Sequence, residues 1–166
     1  MVKWLTRFGL LLIVGLGIWA AFHFYPTEEK KVKKQFGLLA DYASREASES
    51  PLTTARKMKG LGSLFAEKCG LEAPHYSLSG IYGREEITLL AAGGRSSFSE
   101  LQVSFYDYEV TFPKRETAQV TATGRLQGKI LTNGYLDEPH ELACVLKKIE
   151  NRWVFSHLEI VEVLKK

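Results

Sequence analysis

The sequence has few cysteines, the residues that build disulfide frameworks and many structural zinc sites. Its 166 residues include two cysteines, Cys69 and Cys144, and neither belongs to a CxxC motif or has a histidine at ligand spacing. This pattern argues against a zinc site, and we predict neither a metal nor another cofactor. Two buried free thiols are the simpler interpretation of the cysteines, and one disulfide in an oxidising compartment is the alternative.

Several catalytic and binding motifs are also absent. The chain has no GxSxG serine elbow, and the segment 80–83 lacks the lysine and the strand-to-helix context of a phosphate-binding loop. The net charge is only +3, and four of the basic residues cluster within 30–34. A basic nucleic-acid-binding face is therefore not expected, and no nucleic-acid partner is predicted.

Charged residues are missing from one long stretch. Residues 8–27 contain no Asp, Glu, Lys or Arg and are mostly apolar. About 20 helical residues with a rise of ~1.5 Å each span the ~30 Å apolar core of a bilayer. Trp4 and Tyr25 flank the stretch as interfacial aromatic residues do. We predict a transmembrane anchor over residues 1–27, in contact with the membrane through residues 4–25.

A cleaved signal peptide is the alternative for the same stretch. Cleavage requires small residues at both ends of an A-x-A triplet, whereas Ile18 and Trp19 stand two places before the two adjacent alanines. The short basic head with Lys3 and Arg7 is typical of an export signal, although the lysines at 30–34 oppose this orientation by the positive-inside rule. We predict a single-pass protein of the cytoplasmic (inner) membrane with its domain on the outer, periplasmic side.

Residues 28–166 are predicted to form one α+β domain that begins with helices. From the start of this segment apolar residues recur every three or four positions, which is typical of an amphipathic helix. Ser50 is a candidate N-cap, and Pro51 at the first helical position opens a second helix that is expected to end at Gly70. A third helix opens at Arg84 with acidic residues in its first turn.

The rest of the domain is predicted to be strand. Residues 71–78 contain Pro74 and are expected to form an edge strand or an extended link. Four long strands follow, separated by turns at 113–115, 133–134 and 150–151. In the last strand apolar residues fall on both alternating faces, so both faces are expected to be covered. Three helices cover one face, which leaves the other as a candidate self-association surface.

Short motifs spread over the domain carry a family resemblance. They are Leu64-Phe65-Ala66, Pro74, Gly80-x-x-Gly83-Arg84-Glu85-Glu86-Ile87, Ala118-x-Val120, and Leu146-Lys147-Lys148 ahead of Asn151-Arg152-Trp153. In this order they resemble the nuclear transport factor 2-like (NTF2-like) superfamily, which includes SnoaL-type and ketosteroid isomerase-like proteins. The resemblance implies a cone-shaped, cystatin-like fold of three helices on a curved antiparallel sheet, with a pocket between them and often a dimer formed through the sheet. Because such folds host enzymes, ligand-binding domains and assembly modules, the fold does not fix the function.

The resemblance also implies where catalytic groups would lie. Isomerases of this fold place an aspartate base before the proline that follows the second helix, where this chain has Ala73, and Glu72 would point to the opposite side. The remaining enzymatic option is a histidine–acid pair, as dehydratases of this fold use, with His75 beside Asp107 or Glu109. The alternative is a surface histidine, with the two carboxylates marking a bulge or an exposed face.

Two other groups of ionisable residues have no assigned role. The charged run 137–141 lies near a turn and matches no metal-ligand template. His157 and Glu159 lie on one side of the last strand, alternating with apolar residues. The run 137–141 is expected to form a solvated loop, and His157 and Glu159 are expected to lie on a solvated or interfacial face.

Aromatic residues are the candidates for lining the implied pocket, and they suit filling of the cone equally well. They are Phe65, Tyr76, Tyr82, Phe98, Phe105 and Trp153. We predict first a membrane-tethered, non-catalytic domain that acts in protein association or envelope assembly, as a homodimer through the sheet face or with another envelope protein. The alternatives are a binder of a small apolar ligand and an acid/base enzyme of the isomerase or dehydratase type.

Overall fold

The computed structural model describes residues 27–161, apart from the side chain of His75. The chain divides into two compact units, Met1–Lys31 and Val32–Lys166. Of the first unit, residues 27–31 are described and include the beginning of a helix. The second unit contains the sheet and the other helices.

The predicted membrane anchor, residues 1–27 with its membrane contact through residues 4–25, lies outside the described residues but for its last position. Within the range 27–161 no helix combines the length and the apolar composition needed to cross a bilayer. The anchor, its orientation and the periplasmic location of the domain therefore stay predictions.

Residues 27–161 contain three α-helices that begin where the sequence predicted: α1 (Glu28–Ala43), α2 (Pro51–Ser63) and α3 (Arg84–Ser96). The Ser50 hydroxyl accepts a hydrogen bond from the Thr53 backbone N–H at 3.2 Å, and Pro51 occupies the first turn of α2. At the start of α3 the Gly83 backbone N–H donates to the Glu86 carboxylate at 2.7 Å. Both helix starts are thus fixed by the residues that predicted them.

Six strands form one sheet: β1 (Phe65–Ala73), β2 (Leu78–Gly83), β3 (Phe98–Lys114), β4 (Thr117–Ile130), β5 (Gly134–Ile149) and β6 (Arg152–Val161). A single 3₁₀ turn, Pro74–Tyr76, joins β1 to β2. The strand order is β2-β1-β6-β5-β4-β3, and every neighbouring pair is antiparallel except β1 with β6, which is parallel. The predicted antiparallel sheet is correct for β3 to β6 and wrong where β1 joins it.

The second helix ends earlier than the sequence predicted. It stops at Ser63, and the segment from Phe65 to Gly70 is part of β1 rather than helix. This strand pairs on both sides, with β2 and with β6, where Phe65 lies opposite Phe155. Pairing with two neighbouring strands outweighs the helix preference that the spacing of the local apolar residues indicated.

The two faces of the sheet differ in what covers them. Val120 of β4 is 2 % exposed and shares a core with Phe36 of α1 and Leu61 of α2, whereas its neighbours Gln119 and Thr121 are exposed. The helices therefore cover one face, the helix-side face. The opposite, outer face carries Glu109, Thr111, Gln119, Thr121, Ala143, Val145, His157 and Glu159.

A β-bulge interrupts the pairing of β5 with β6. Val145 lies opposite His157, and the next residue, Leu146, lies opposite Phe155, so that Ser156 is an extra residue. The Ser156 hydroxyl donates a hydrogen bond to the Val145 carbonyl at 3.0 Å. On the far side of the bulge the alternation of faces is shifted by one residue.

This shift changes which apolar residues of the last strand lie on which face, although Val154, opposite Lys147, stays buried on the outer one. Leu158 and Ile160 pack against the core on the same face as Phe155, instead of on the opposite one. His157 and Glu159 lie on the outer face. The outer face is consequently more polar than the sequence predicted.

Candidate functional site

Aromatic rings fill the space between the helices and the sheet. Phe36 is fully buried, and its ring meets those of Phe105, Tyr108 and Phe155 edge to face with centroid separations of 5.5, 5.4 and 5.0 Å. Phe65 lies 5.5 Å from Phe155 in the same cluster. Rings at these separations are in contact, so the centre of the cone is packed.

The six aromatic residues predicted to line a pocket have different surroundings. Trp153 and Phe65 are buried, at 2 % and 3 % exposure, whereas Tyr76 in the 3₁₀ turn is 52 % exposed. None of the six lines the three surface pockets, which have volumes of about 650, 380 and 580 Å³. Ligand binding by these side chains stays a prediction. The remaining three are half-buried: Tyr82, Phe98 and Phe105.

The predicted acid/base residues lie at opposite ends of the strand order. His75 is the middle residue of the 3₁₀ turn between β1 and β2, at one edge. Asp107 and Glu109 are exposed residues of β3, the other edge strand. Asp107 has a φ of +54° and lies in an irregularity of the β3–β4 pairing, and Glu109 lies on the outer face. An acid/base unit of His75 with either carboxylate stays a prediction.

A histidine–carboxylate pair lies within the charged run that sequence analysis assigned to solvent. His140 Nε2 is 3.4 Å from Glu138 Oε2, with the His140 side chain 17 % exposed. Burial, and then the charge of Glu138, raise the pKa of the Tyr76 hydroxyl. None of these three residues lines any of the three pockets. The pair has the groups for proton transfer and lies outside these three pockets.

A buried ion cluster ties the loop after α1 to the end of α3. Arg95 Nη2 donates to the two Glu49 carboxylate oxygens at 2.8 and 3.0 Å, and Lys57 Nζ donates to Oε2 at 2.8 Å. The side chains of Arg95 and Glu49 are 4 % and 2 % exposed. Burial alone would raise the pKa of Glu49, but hydrogen bonds from Lys57, Arg95 and Thr54 lower it to about 2. The carboxylate is therefore a structural tie and not a proton-transfer group.

The pocket of about 650 Å³ opens beside this cluster, between the loop after α1 and strands β3 and β4. Its cations are engaged, since Lys57 contacts Glu49 and Lys129 Nζ lies 3.2 Å from Glu100. The pocket of about 580 Å³ lies between α2 and α3. Both are open surface clefts outside the cone.

The pocket of about 380 Å³ is a trough on the outer face of β3 to β6. At one side of it three side chains with metal-binding atoms converge: Glu72 of β1 and His157 and Glu159 of β6, whose ligand atoms all lie within 4.8 Å of one another. Sequence analysis had grouped the last two and had placed Glu72 correctly opposite Ala73. It had not joined Glu72 to them, because only the β1–β6 pairing brings them together.

Both cysteines are buried and free. Burial raises the pKa of Cys69 to about 11, and burial with the neighbouring Cys69 raises that of Cys144 to about 12. Thiols in such surroundings stay protonated at neutral pH and are poor nucleophiles. The simpler interpretation of the sequence, two buried free thiols, agrees with this arrangement.

No protein-family model matches the chain, and no curated protein matches its sequence. Solved structures match its fold. A candidate scytalone dehydratase from Novosphingobium aromaticivorans has a TM-score of 0.68 and 14 % identity over 82 % of this chain and 85 % of that chain. A candidate dehydratase of the NTF2-like family from Streptomyces avermitilis has a TM-score of 0.65 and 15 % identity over 84 % and 98 %. LinA has a TM-score of 0.64 and 14 % identity over 81 % and 84 %. The domain therefore has the NTF2-like fold, and at these identities the likeness concerns the fold alone.

Proposed function

We propose that this chain is a membrane-tethered, non-catalytic domain of NTF2-like fold that associates with a second copy of itself through the outer face of its sheet. The main support for a non-catalytic role is the aromatic packing between the helices and the sheet. Phe36 and its aromatic neighbours occupy the place where an enzyme of this fold is expected to hold its substrate. The tether rests on the charge-free apolar stretch 8–27.

The likeness to candidate dehydratases of the same fold does not change the proposal of a non-catalytic domain. Acid/base catalysis requires a histidine or carboxylate within reach of a bound substrate. In this chain the His140–Glu138 pair lines none of the three pockets. Asp107 and Glu109 are exposed on an edge strand, remote in strand order from His75.

The outer face has the size of a small protein–protein interface. Strands β3 to β6 are 17, 14, 16 and 10 residues long. Four strands about 4.8 Å apart and ten residues of about 3.3 Å each give a face of roughly 600 Å², close to the ~800 Å² per partner of a standard interface. A second sheet can approach it closely, because Thr121, Ala143 and Val145 at its centre have short side chains.

The charges of the face favour a second copy as the partner. Glu109 and Glu159 lie along the trough, and Lys147 is exposed on the outward-facing register of β5. In a two-fold dimer the same patch contacts itself, so the acidic groups of one copy can lie opposite the basic group of the other. A face with both signs of charge is therefore self-complementary, whereas a face of one sign would repel its copy.

The test is the mass of the full chain in detergent micelles, measured by analytical ultracentrifugation. The wild-type chain is expected to sediment as a dimer, twice its 18.7 kDa. Thr121→Arg places a bulky charge at the centre of the face and is expected to give monomers. Ser48→Arg, an exposed change in the loop after α1 and away from the sheet, is the matched control and is expected to stay dimeric.

Two results would overturn the proposed association. A monomeric wild-type chain would remove the second copy as the partner. A dimer that persists in Thr121→Arg would place the contact elsewhere, for example in the apolar stretch 8–27. Turnover of a substrate, abolished by His140→Gln with the dimer intact, would refute the non-catalytic assignment and leave the interface standing.

A further inference from the structure

Two neighbouring parallel strands bring one imidazole and two carboxylates to the same spot. In the β1–β6 pair Gly70 lies opposite His157, and Glu72 lies opposite Glu159. Residues two apart on a strand share a face, so the three side chains project from the outer face together. Their nearest nitrogen and oxygen ligand atoms lie within 4.8 Å of one another.

Gly70 makes room for the imidazole. A Cβ added at this position would lie 2.5 Å from His157 Nδ1 and 3.3 Å from Cε1, which is closer than side-chain atoms approach. The ring therefore lies over the bare backbone of β1, on the side of the strand from which Glu72 projects. Any larger residue at position 70 would displace the ring from the two carboxylates.

The two carboxylates face each other across neighbouring strands. Within residues 27–161 no lysine or arginine forms an ion pair with Glu72 or Glu159. Like charges directly opposite each other on neighbouring strands are destabilising. A bound cation converts this repulsion into attraction, and His157 supplies a neutral nitrogen ligand beside the two negative oxygen ligands.

We propose that Glu72, His157 and Glu159 form a binding site for a divalent cation of the zinc type on the outer face. Imidazole nitrogen and carboxylate oxygen are ordinary zinc ligands, with bond lengths of ~2.0–2.2 Å. The ligand atoms lie within 4.8 Å of one another, and rotation of the side chains is expected to bring them to the separations of about 3.4 Å that a tetrahedral ion requires. The nitrogen ligand disfavours Mg²⁺ and Ca²⁺, which prefer oxygen alone.

Three protein ligands leave a fourth position of the ion open toward solvent. In a single chain Glu72 is exposed and His157 and Glu159 are half-buried, so water reaches the site from the outer side. The site lies on the outer face but needs no second chain to be complete. His157 and Glu159 also belong to the face proposed for the dimer, whereas Glu72 lies on β1 outside it, so Glu72→Gln tests the ion site apart from the association.

The test uses the full chain in detergent, stripped of metal with a chelator and titrated with ZnCl₂ by isothermal calorimetry. One saturable site per chain is expected. Glu72→Gln, His157→Gln and Glu159→Gln are each expected to weaken Zn²⁺ binding more than tenfold, because each removes one ligand. Gly70→Ala is expected to weaken it as well, by moving the ring.

Matched controls separate this site from other donors in the chain. Glu109→Gln removes a carboxylate of the same trough, and His140→Gln removes the other described histidine that has a carboxylate partner. Both are expected to bind Zn²⁺ within twofold of the wild type, and tenfold excess Mg²⁺ is expected not to compete. Thermal unfolding of every variant shows that it is folded.

The proposal is overturned by wild-type protein that takes up no stoichiometric Zn²⁺. It is equally overturned if Glu72→Gln and Glu159→Gln bind as tightly as the wild type, because the ion then sits elsewhere. Monomeric protein that binds Zn²⁺ with the expected variant pattern would refute the dimer and support the metal site.

Discussion

The rings of Phe36 and Phe155 meet edge to face at the centre of the cone, with centroids 5.0 Å apart and planes inclined at 83°. Neither side chain is exposed to solvent. Phe36 lies on α1 and Phe155 on β6, so the contact joins the helices to the sheet. A pocket for a ligand would require these rings to stand apart.

The packed core predicts a large cost for removing its central ring. Phe36→Ala deletes a fully buried side chain with three aromatic neighbours and leaves a cavity between rigid elements. We expect it to lower the free energy of unfolding by about 3–5 kcal/mol. Urea denaturation of the full chain, followed by tryptophan fluorescence, measures the change.

Phe112→Ala is the control for this substitution. Phe112 is 41 % exposed and contacts one ring, that of Trp153. Its truncation is expected to cost about 1 kcal/mol, in proportion to the smaller buried area. If Phe36→Ala lowers the free energy of unfolding no more than Phe112→Ala, the centre of the cone is loosely packed. The argument against a ligand pocket then fails.

The ion cluster at Glu49 predicts a specific pH dependence of stability. The pKa of Glu49 is lowered from 4.5 to about 2 in the folded chain. A lowered pKa contributes stability that is complete above the unfolded value and is lost as the pH falls through the folded value. We expect the wild type to lose about 3 kcal/mol from this group between pH 5 and pH 2. Glu49→Gln should lack this loss and be less stable at pH 7, since Arg95 is left buried without its counter-ion.

Asp137→Asn tests whether the stability contributed by an ion pair depends on its burial. Asp137 forms a two-pronged ion pair with Arg125 that is 35–42 % exposed, and Arg125 lowers the pKa of Asp137. Exposed pairs contribute little, so this variant is expected to change stability at pH 7 far less than Glu49→Gln does. Urea titrations of both variants at several pH values settle the comparison. An equal effect of the two variants would contradict the role given to Glu49.

A glycine-to-alanine substitution is expected to have opposite effects on stability at two positions. A Cβ at Gly128 would collide with the Glu100 carbonyl oxygen and lie 3.2 Å from Leu101 Cα, both backbone atoms of the paired strand β3. Gly128→Ala is therefore expected to destabilise the protein by about 1–3 kcal/mol. Gly93 lies in α3 with no atom within 4 Å of an added Cβ. Gly93→Ala is expected to stabilise it by about 0.5–1 kcal/mol. Thermal unfolding measures both, and a neutral Gly128→Ala would mean that β3 and β4 can separate.

The features that sequence predicted well are those fixed by neighbours in the chain. The cap at Ser50 and the acidic first turn after Gly83 each act within one helical turn. The turns depend on residues with positive φ: Asn133 at +73° in one, and Glu150 and Asn151 at +47° and +62° in the other. Local chemistry therefore placed the helix starts and the antiparallel strands β3 to β6.

The features that sequence missed depend on distant partners. Phe65 to Gly70 became a strand because β6 lies alongside it. The bulge at Ser156 reversed the faces of the residues after it, and alternation alone cannot reveal an extra residue. The pairing of β1 with β6 also assembles the proposed cation site, where Glu72 of one strand lies beside His157 of the other. No spacing along the chain connects these residues.

The position of β6 between β1 and β5 has a consequence for how the protein is made. Strands β3, β4 and β5 leave the ribosome in the order in which they pair, but β1 has no partner other than β2 until β6 has been synthesised. Pairing of β1 with β6 closes a loop of most of the domain, which is a slow and late event in folding. A premature stop codon that removes the 10 residues of β6 would therefore split the sheet into a hairpin and a meander and leave apolar edges for chaperones or proteases.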